Sequence, residues 1–249
     1  MMAKKNGYVV VRGGVSGAGR YMSLKLAQAG YDVFANTADA AHNFRGDILI
    51  KECADLGVKF AYNSGNPTDY AVAEKIVSDA DRAIGGKMLC YINNDGVVDG
   101  SRLTQLTPPQ YQELLDMHFL TLLHCAKTAA DHMAKQGGGM FINTAALMPF
   151  PGEEADFTLE ISLYEAFTRS LAKTYAPMNV RFNTILSAPL AYPPDPQLAP
   201  QEAPKEEEHE LQFAPVISTE SPDEFLDILL KVVESPGMTG QVFAPNVRF

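Results

Sequence analysis

The chain has 249 residues, of which 46% are hydrophobic and 20% charged, and its formal net charge at pH 7 is −10. This length suits one large α/β domain with a well-buried core. The negative charge argues against nucleic acid or an anionic membrane as a partner, because both attract faces rich in lysine and arginine. The start of the chain lacks the apolar core of a signal peptide, and no apolar run reaches the length of a membrane span, so a cytoplasmic location is expected.

The cysteine count argues against metal and disulfide chemistry. The chain has an odd number of cysteines, Cys53, Cys90 and Cys125. They lie too far apart in sequence for a metal-ligand or redox motif. We therefore expect reduced thiols and no metal site.

Short β-branched runs alternate with longer amphipathic stretches along the chain. Strands are predicted at residues 8–11, 31–35, 58–62, 88–92, 140–144, 180–186 and 239–243. Helices are predicted at residues 20–30, 43–56, 68–84, 109–135, 157–176 and 221–233, with Thr68 as a helix cap. This alternation, without a break in composition, predicts a single Rossmann-like α/β domain over residues 1–249, in which helices flank a doubly wound parallel sheet.

A glycine-rich turn follows the first predicted strand. Gly13, Gly17 and Gly19 stand between that strand and an amphipathic helix. Glycines allow a tight turn there, and the N–H groups at the start of the helix can cradle a pyrophosphate. The strand–turn–helix context therefore indicates dinucleotide-fold ancestry.

The second strand ends without the usual determinant of a dinucleotide. A carboxylate at this point would hold the adenosine ribose, and a basic residue would hold a 2′-phosphate. Asn36 and Thr37 supply neither.

Residues 191–216 have an unusual composition. Six prolines lie between Pro193 and Pro215, and the run from Lys205 to Glu210 is mostly acidic. A segment with so little to bury is predicted to be a mobile lid.

Several motifs in family order and spacing make the chain resemble the short-chain dehydrogenase/reductase family, in its β-ketoacyl-reductase-like branch, over nearly its whole length. Beside the glycine turn, they are Asn93-Asn94-Asp95-Gly96, Thr168-Arg169-Ser170-Leu171-Ala172, Arg181-x-Asn183 and Thr239-Gly240-Gln241. The resemblance implies an oxidoreductase fold with a nicotinamide cofactor. Its cofactor-binding residues in this chain would be Gly13, Gly17, Gly19, Asn93 and Gly96.

The resemblance also implies four catalytic side chains, and this chain has replaced all of them. In the family a Tyr moves the proton, a Lys lowers the pKa of that Tyr, a Ser orients the carbonyl and an Asn holds a relay water. Alignment places Phe157 at the Tyr position and Ile161 at the Lys position. Ala145, or its neighbour Ala146, stands at the Ser position and His118 at the Asn position.

The cofactor contacts that the family implies are altered as well. The replacements are Arg12 for Thr, Asn66 for Asp, Asp95 for Ala, Ser187-Ala188 for Pro-Gly and Tyr192 for Thr. We therefore expect the chain to hold no cofactor of its own, with NAD(P) binding by the retained glycines as the alternative.

The surfaces through which family members associate are retained in the sequence, namely the helices at 109–135 and 157–176. Their retention without the catalytic residues predicts a silent subunit, paired in an α2β2 assembly with an active short-chain dehydrogenase paralogue that acts on an NAD-linked hydroxyacyl-CoA. The first alternative is an active NAD(P)-dependent oxidoreductase with a relocated acid, His118 or Tyr164. A second is a protein that senses the cofactor without turnover.

Overall fold

Seven strands form one sheet in the order β3-β2-β1-β4-β5-β6-β7, and every pairing is parallel. The computed structural model describes residues 4–38, 40–99, 107–148, 158–187 and 222–243. The strands are β1 (Tyr8–Arg12), β2 (Asp32–Thr37), β3 (Phe60–Ser64), β4 (Met88–Asp99), β5 (Gly139–Met148), β6 (Val180–Ser187) and β7 (Gln241–Phe243). The predicted Rossmann-like doubly wound fold is confirmed.

Helices cover both faces of the sheet. They are α1 (Gly17–Gln28), α2 (Asn43–Asp55), α3 (Tyr70–Ala83), α4 (Pro108–Leu114), α5 (Thr121–Lys135), α6 (Thr158–Tyr175) and α7 (Pro222–Glu234). Apolar residues of α3, α5 and α6 share one buried cluster, and those of α1, α2 and α7 share the other. The segment 191–216, predicted to be a lid, lies outside the described residues.

The interior strand β1 shows why helices cover both faces of the sheet. Side chains alternate between the two faces of a strand. Tyr8 and Val10 enter the cluster of α3, α5 and α6, whereas Val9 and Val11 enter the opposite one. All four are fully buried, so this strand forms part of both cores.

Strands β4 and β5 extend beyond their predicted ends at residues 92 and 144. Their pairing continues from Val97 opposite Ala146 to Asp99 opposite Met148, after a register shift between Asn94 and Val97. A register shift of this kind lets a strand resume its ladder after an irregular stretch. The two strands therefore project past their neighbours at the carboxyl edge of the sheet.

The long helix predicted at 109–135 is interrupted. A π-helical segment, Leu115–Leu120, separates α4 from α5. The N–H and the side-chain hydroxyl of Thr121 both bond the carbonyl oxygen of Asp116, and the hydroxyl contact measures 3.1 Å. This offset of five residues is the π-helical pattern, and such segments are frequent at functional sites.

The cap of helix α3 lies one residue later than Thr68, the predicted cap. Asp69 is the cap, and its carboxylate accepts a hydrogen bond of 2.9 Å from the N–H of Ala71. The N–H of Thr68 instead donates to the Asn66 side chain at 3.1 Å. Thr68 therefore belongs to the turn that precedes the helix.

Candidate functional site

The direction of the chain through the sheet reverses between β1 and β4. The strands β2 and β3 lie to one side of this pair, and β5, β6 and β7 lie to the other. In open parallel sheets, ligands bind outside the carboxyl ends of the strands at such a point. Arg12, the last residue of β1, stands there in register with Asn36 and Asn93.

The glycines of the turn after β1 serve two different needs. A Cβ atom on Gly19 would lie 2.0 Å from the carbonyl oxygen of Gly13, so the turn itself requires this glycine. Gly17 has a φ of +50°, and a Cβ atom there would meet no heavy atom within 4 Å. Gly19 therefore allows the close approach of helix and turn at Gly13, whereas Gly17 borders open space.

The start of α1 fits an anionic group. Ser16 precedes the helix and its side chain makes no capping hydrogen bond, and the first turn carries no acidic residue. The N–H groups of a helix start and the positive end of its dipole favour an anion. With the open space at Gly17, these features fit the diphosphate part of a dinucleotide.

The carboxyl end of β2 does not fit the ribose part. The amide nitrogen of Asn36 donates to Asn63 Oδ1 at 3.1 Å and to the Gly65 carbonyl oxygen at 3.2 Å. Its oxygen Oδ1 is buried and has no hydrogen-bond partner among the described residues. The residues present therefore match a dinucleotide only in part.

A polar network behind Asn36 was not foreseen from the sequence. The amide nitrogen of Asn63 donates to Asp79 of α3 at 2.9 Å, and Lys75 also bonds this carboxylate. Burial alone raises the pKa of Asp79, but these hydrogen bonds outweigh it and hold the pKa below its usual value. The register of β2 and β3 could have revealed this network, because it places Asn36 opposite Asn63.

The predicted cofactor residues on β4 have other contacts in the sheet. Asn93 is fully buried and donates to Asn143 Oδ1 on β5 at 2.7 Å. Arg12 donates from Nη1 to the Asn94 carbonyl oxygen at 3.1 Å, which ties β1 to β4 at the point of reversal. Gly96 lies on β4. A role for Asn93 or Gly96 in cofactor binding stays a prediction.

The described positions of the family's catalytic residues are apolar except for His118. Ala145 on β5 and Ile161 on α6 are both buried in the cluster formed with α3 and α5. Neither side chain can donate or accept a proton. Phe157 lies outside the described residues.

His118 lies in the π-helical segment and is 5% exposed. It also has an interaction partner. A general acid or base must come within hydrogen-bond reach of the substrate. The burial of this ring favours a packing role over proton transfer to a bound substrate.

Tyr164 is even less accessible. Its side chain is fully buried, and its ring centroid lies 5.5 Å from that of Phe119. Tyr164 also has an interaction partner within the fold. A phenol in this position is part of the core between the helices and the sheet.

Cys53, Cys90 and Cys125 are buried, and none of the three forms a disulfide. Burial is the main cause that raises the pKa of the Cys53 thiol to about 12, and burial also raises the pKa of Cys90. Thiols protonated at neutral pH are poor nucleophiles and metal ligands. Within the described ranges, no cluster of three or more histidine, cysteine or acidic residues could hold a metal ion.

The family of the chain follows from its sequence. Residues 7–192 match the sequence model of the short chain dehydrogenases. The chain belongs to the short-chain dehydrogenase family. In the part of the chain that the structure describes, no helix is long and apolar enough to cross a membrane.

Curated relatives match at low identity over much of the chain. General stress protein 39 of Bacillus subtilis (strain 168) is 25% identical over 97% of this chain and 84% of its own length. Acetoacetyl-CoA reductase of Cupriavidus necator is 24% identical over 70% of this chain and 71% of its own length. A 3-oxoacyl-[acyl-carrier-protein] reductase of Staphylococcus aureus is 21% identical and covers 71% of both chains.

Solved structures of the same fold superimpose over nearly the whole chain. A short-chain dehydrogenase/reductase from Mycobacterium marinum gives a TM-score of 0.76 at 18% identity, over 96% of this chain and 93% of its own. The NADPH-dependent 3-quinuclidinone reductase of Rhodotorula rubra gives a TM-score of 0.76 at 21% identity, over 97% of this chain and 90% of its own. At these identities the likeness supports the fold.

Proposed function

We propose that this chain is a catalytically silent short-chain-dehydrogenase subunit, which assembles with an active paralogue into a hetero-oligomeric NAD-dependent dehydrogenase. The observation that carries the proposal is the apolar setting of Ala145 and Ile161, which share one buried cluster. Proton transfer to a carbonyl needs a donor beside the reacting oxygen and a group that tunes its pKa. The two positions supply neither.

The long helix supports a role in assembly. Leu115, Met117, Leu120 and Leu123 are 46%, 49%, 37% and 42% exposed on the π-helical segment and the first turn of α5. Exposed apolar side chains that follow one another closely along a helix can form part of a protein–protein contact. This group of four residues, called the apolar stripe below, would lie against the active paralogue in an α2β2 assembly.

The exposed face of α6 would supply the polar part of the same interface. Glu165 and Arg169 form an ion pair of 3.4 Å on this helix. Interfaces commonly combine an apolar centre with a polar rim. The two helices together therefore offer the two components of a specific contact.

The substrate of the assembly would be a hydroxyacyl or ketoacyl thioester bound by the active partner. Two relatives are named as reductases of acetoacetyl-CoA and of 3-oxoacyl-[acyl-carrier-protein]. The pattern of lost catalytic residues also resembles the silent subunit of 2-(hydroxybenzyl)succinyl-CoA dehydrogenase of anaerobic toluene degradation. The relatives favour an acyl thioester as the substrate, and the resemblance to the silent subunit favours its CoA form.

The proposal is tested by measuring NADH formation from hydroxyacyl-CoA substrates with the purified chain alone and with the chain co-expressed with its paralogue. We expect no turnover by the chain alone and turnover by the mixture. Replacing the proton-donating tyrosine of the paralogue should abolish that turnover. NAD(P)-linked turnover by the chain alone would contradict the proposal.

The apolar stripe provides a separate test of assembly. A Leu123→Glu variant places a charge in the stripe and should prevent the mixed assembly, measured by size-exclusion chromatography. Leu56→Glu is the matched control, because Leu56 is 39% exposed at the end of α2, on a different helix. If both variants assemble equally well, the stripe is not the contact.

The second candidate function is an NAD(P)-dependent oxidoreductase that uses His118 or Tyr164 as its acid. The π-helical position of His118 favours this candidate, since such segments are frequent at functional sites. Replacing His118 by alanine or Tyr164 by phenylalanine would then abolish turnover. Under the silent-subunit proposal, the same changes leave the activity of the mixed assembly nearly unaltered.

A further inference from the structure

A groove of about 390 Å³ opens at the amino edge of the sheet, on the side opposite the glycine turn. Its walls are formed by residues at the starts of β1, β2, β4, β5 and β6 and at the end of α7. We propose that this groove binds a small organic anion with a phosphate or carboxylate head group. The argument rests on four charged residues, Lys5, Lys87, Arg181 and Glu234, together with the aromatic ring of Tyr31 and the apolar Leu89.

The charges that line the groove are mainly positive. Lys5, Lys87 and Arg181 face a single carboxylate among the lining residues, Glu234. That carboxylate is engaged, because Glu234 Oε1 accepts a hydrogen bond of 2.8 Å from Lys5 Nζ. The ammonium group of Lys87 makes no hydrogen bond or ion pair with any residue in the described ranges. Two cationic groups therefore remain for an anion, on a chain whose net charge is −10.

Arg181 gives the site its geometry. Its side chain is partly buried, and Nη1 donates to the carbonyl oxygen of Ser235. Burial lowers the pKa of the guanidinium, which reflects the cost of removing this charge from water. A guanidinium carries five N–H donors in a fixed fork, so contact with one carbonyl leaves donors for an anion. An anion beside Arg181 would offset the desolvation of its charge.

The wall of the groove is held by hydrogen bonds within the chain. The N–H of Gly139 donates to the Asn179 carbonyl oxygen at 3.2 Å, and the Asn179 amide donates to the Gly137 carbonyl oxygen at 3.1 Å. These bonds join the turn before β5 to the turn before β6. A site that is ordered in advance loses less entropy when it binds a ligand.

The apolar lining defines the rest of the ligand. Tyr31, Leu89, Val233 and Pro236 line the groove beside the charged residues. The ammonium group of Lys5 lies 5.5 Å from the centre of the Tyr31 ring. A ligand with an apolar part next to its anionic head would contact both kinds of wall. A dinucleotide would lie at the other edge of the sheet, so the two sites are separate.

The experiment titrates the full chain with inorganic phosphate, phenyl phosphate and benzoate, and follows amide shifts by NMR. We expect phenyl phosphate or benzoate to shift residues around the groove and to bind more tightly than inorganic phosphate. Lys87→Met should weaken this binding about tenfold, the effect of losing one charge-assisted hydrogen bond. Lys173→Met, at an exposed lysine of α6, is the matched control and should bind like the original chain.

The outcomes separate the proposal from its alternatives. Stronger binding of phenyl phosphate than of benzoate would identify a phosphate head group, and the reverse would identify a carboxylate. Equal affinity for inorganic phosphate and phenyl phosphate would overturn the organic part of the proposal. Equal affinities of the Lys87→Met and Lys173→Met variants would overturn the site. Amide shifts confined to the glycine turn would also overturn it, because they would place binding at the opposite edge of the sheet.

Discussion

Replacing Ile161 by lysine would return the family's lysine to α6, and we expect this change to destabilise the chain. Ile161 is 8% exposed and belongs to the cluster that contains Ala145 and Tyr164. The new ammonium group would enter apolar surroundings. Glu165, one turn further along α6, already pairs with Arg169 at 3.4 Å.

The cost has two parts. Removing a buried isoleucine side chain costs on the order of 2–5 kcal/mol, of which the lysine stem recovers a part. Placing an ammonium group in an apolar cluster adds on the order of 1–3 kcal/mol after local relaxation. After the part recovered by the lysine stem is subtracted, the sum is on the order of 3 kcal/mol, which lowers the melting temperature of a chain of this size by roughly 6–12 °C.

Thermal and urea unfolding of Ile161→Lys and Ile161→Met provide the assay. Methionine nearly conserves volume and should cost less than about 1.5 kcal/mol. Burial depresses the pKa of a lysine, so the unfolded chain binds more protons than the folded chain between the two pKa values. The difference in unfolding free energy between the two variants is therefore largest below the pKa of the lysine in the folded chain. It narrows as the pH rises toward about 10.

Equal stability of the two variants at neutral pH would refute this reasoning. It would mean that the family's lysine still has a polar site on α6, and that the catalytic position is not apolar. If the difference in unfolding free energy between the two variants does not change with pH, a buried ammonium group is not its cause.

Two further predictions concern the glycine turn and acid stability. Gly17→Ala should lower the free energy of unfolding by only about 1 kcal/mol, the strain of its positive φ. Gly19→Ala should lower it by more than about 3 kcal/mol, because the new Cβ would meet the Gly13 carbonyl oxygen. Urea unfolding of the two variants measures both costs. Burial raises the pKa of Asp131, but hydrogen bonds, including one from Tyr175, outweigh it and lower the net pKa. The stabilisation from this carboxylate should be present above about pH 4 and lost as the pH falls further, so Asp131→Asn should unfold with a weaker acid dependence, measured by circular dichroism.

Much of the fold could be predicted from local patterns. The run Tyr8-Val9-Val10-Val11 indicated a strand buried on both faces, and the structure confirms it. The ends of β4 and β5 were missed because Asn94-Asp95-Gly96 has the composition of a turn. The β4–β5 pairing continues past this tripeptide only because Val97 pairs with Ala146, which is far away in the sequence.

The candidate site could be predicted in part. The identity of Ala145 and Ile161 indicated lost chemistry, whereas their shared burial required the structure. The π-helical segment around His118 depends on a hydrogen bond from Thr121 to Asp116, and helical periodicity does not reveal such an offset. The groove at the amino edge brings together Lys5, Lys87 and Arg181, which no local motif connects.

The central claim is that this chain assembles with an active relative and does no chemistry itself. Native mass spectrometry of the chain co-expressed with an active short-chain dehydrogenase paralogue tests it most directly. We expect a mass equal to two copies of each chain, with NAD-linked turnover only in that species. A stable homotetramer that takes up no second chain and turns over an NAD(P)-linked substrate would contradict the account.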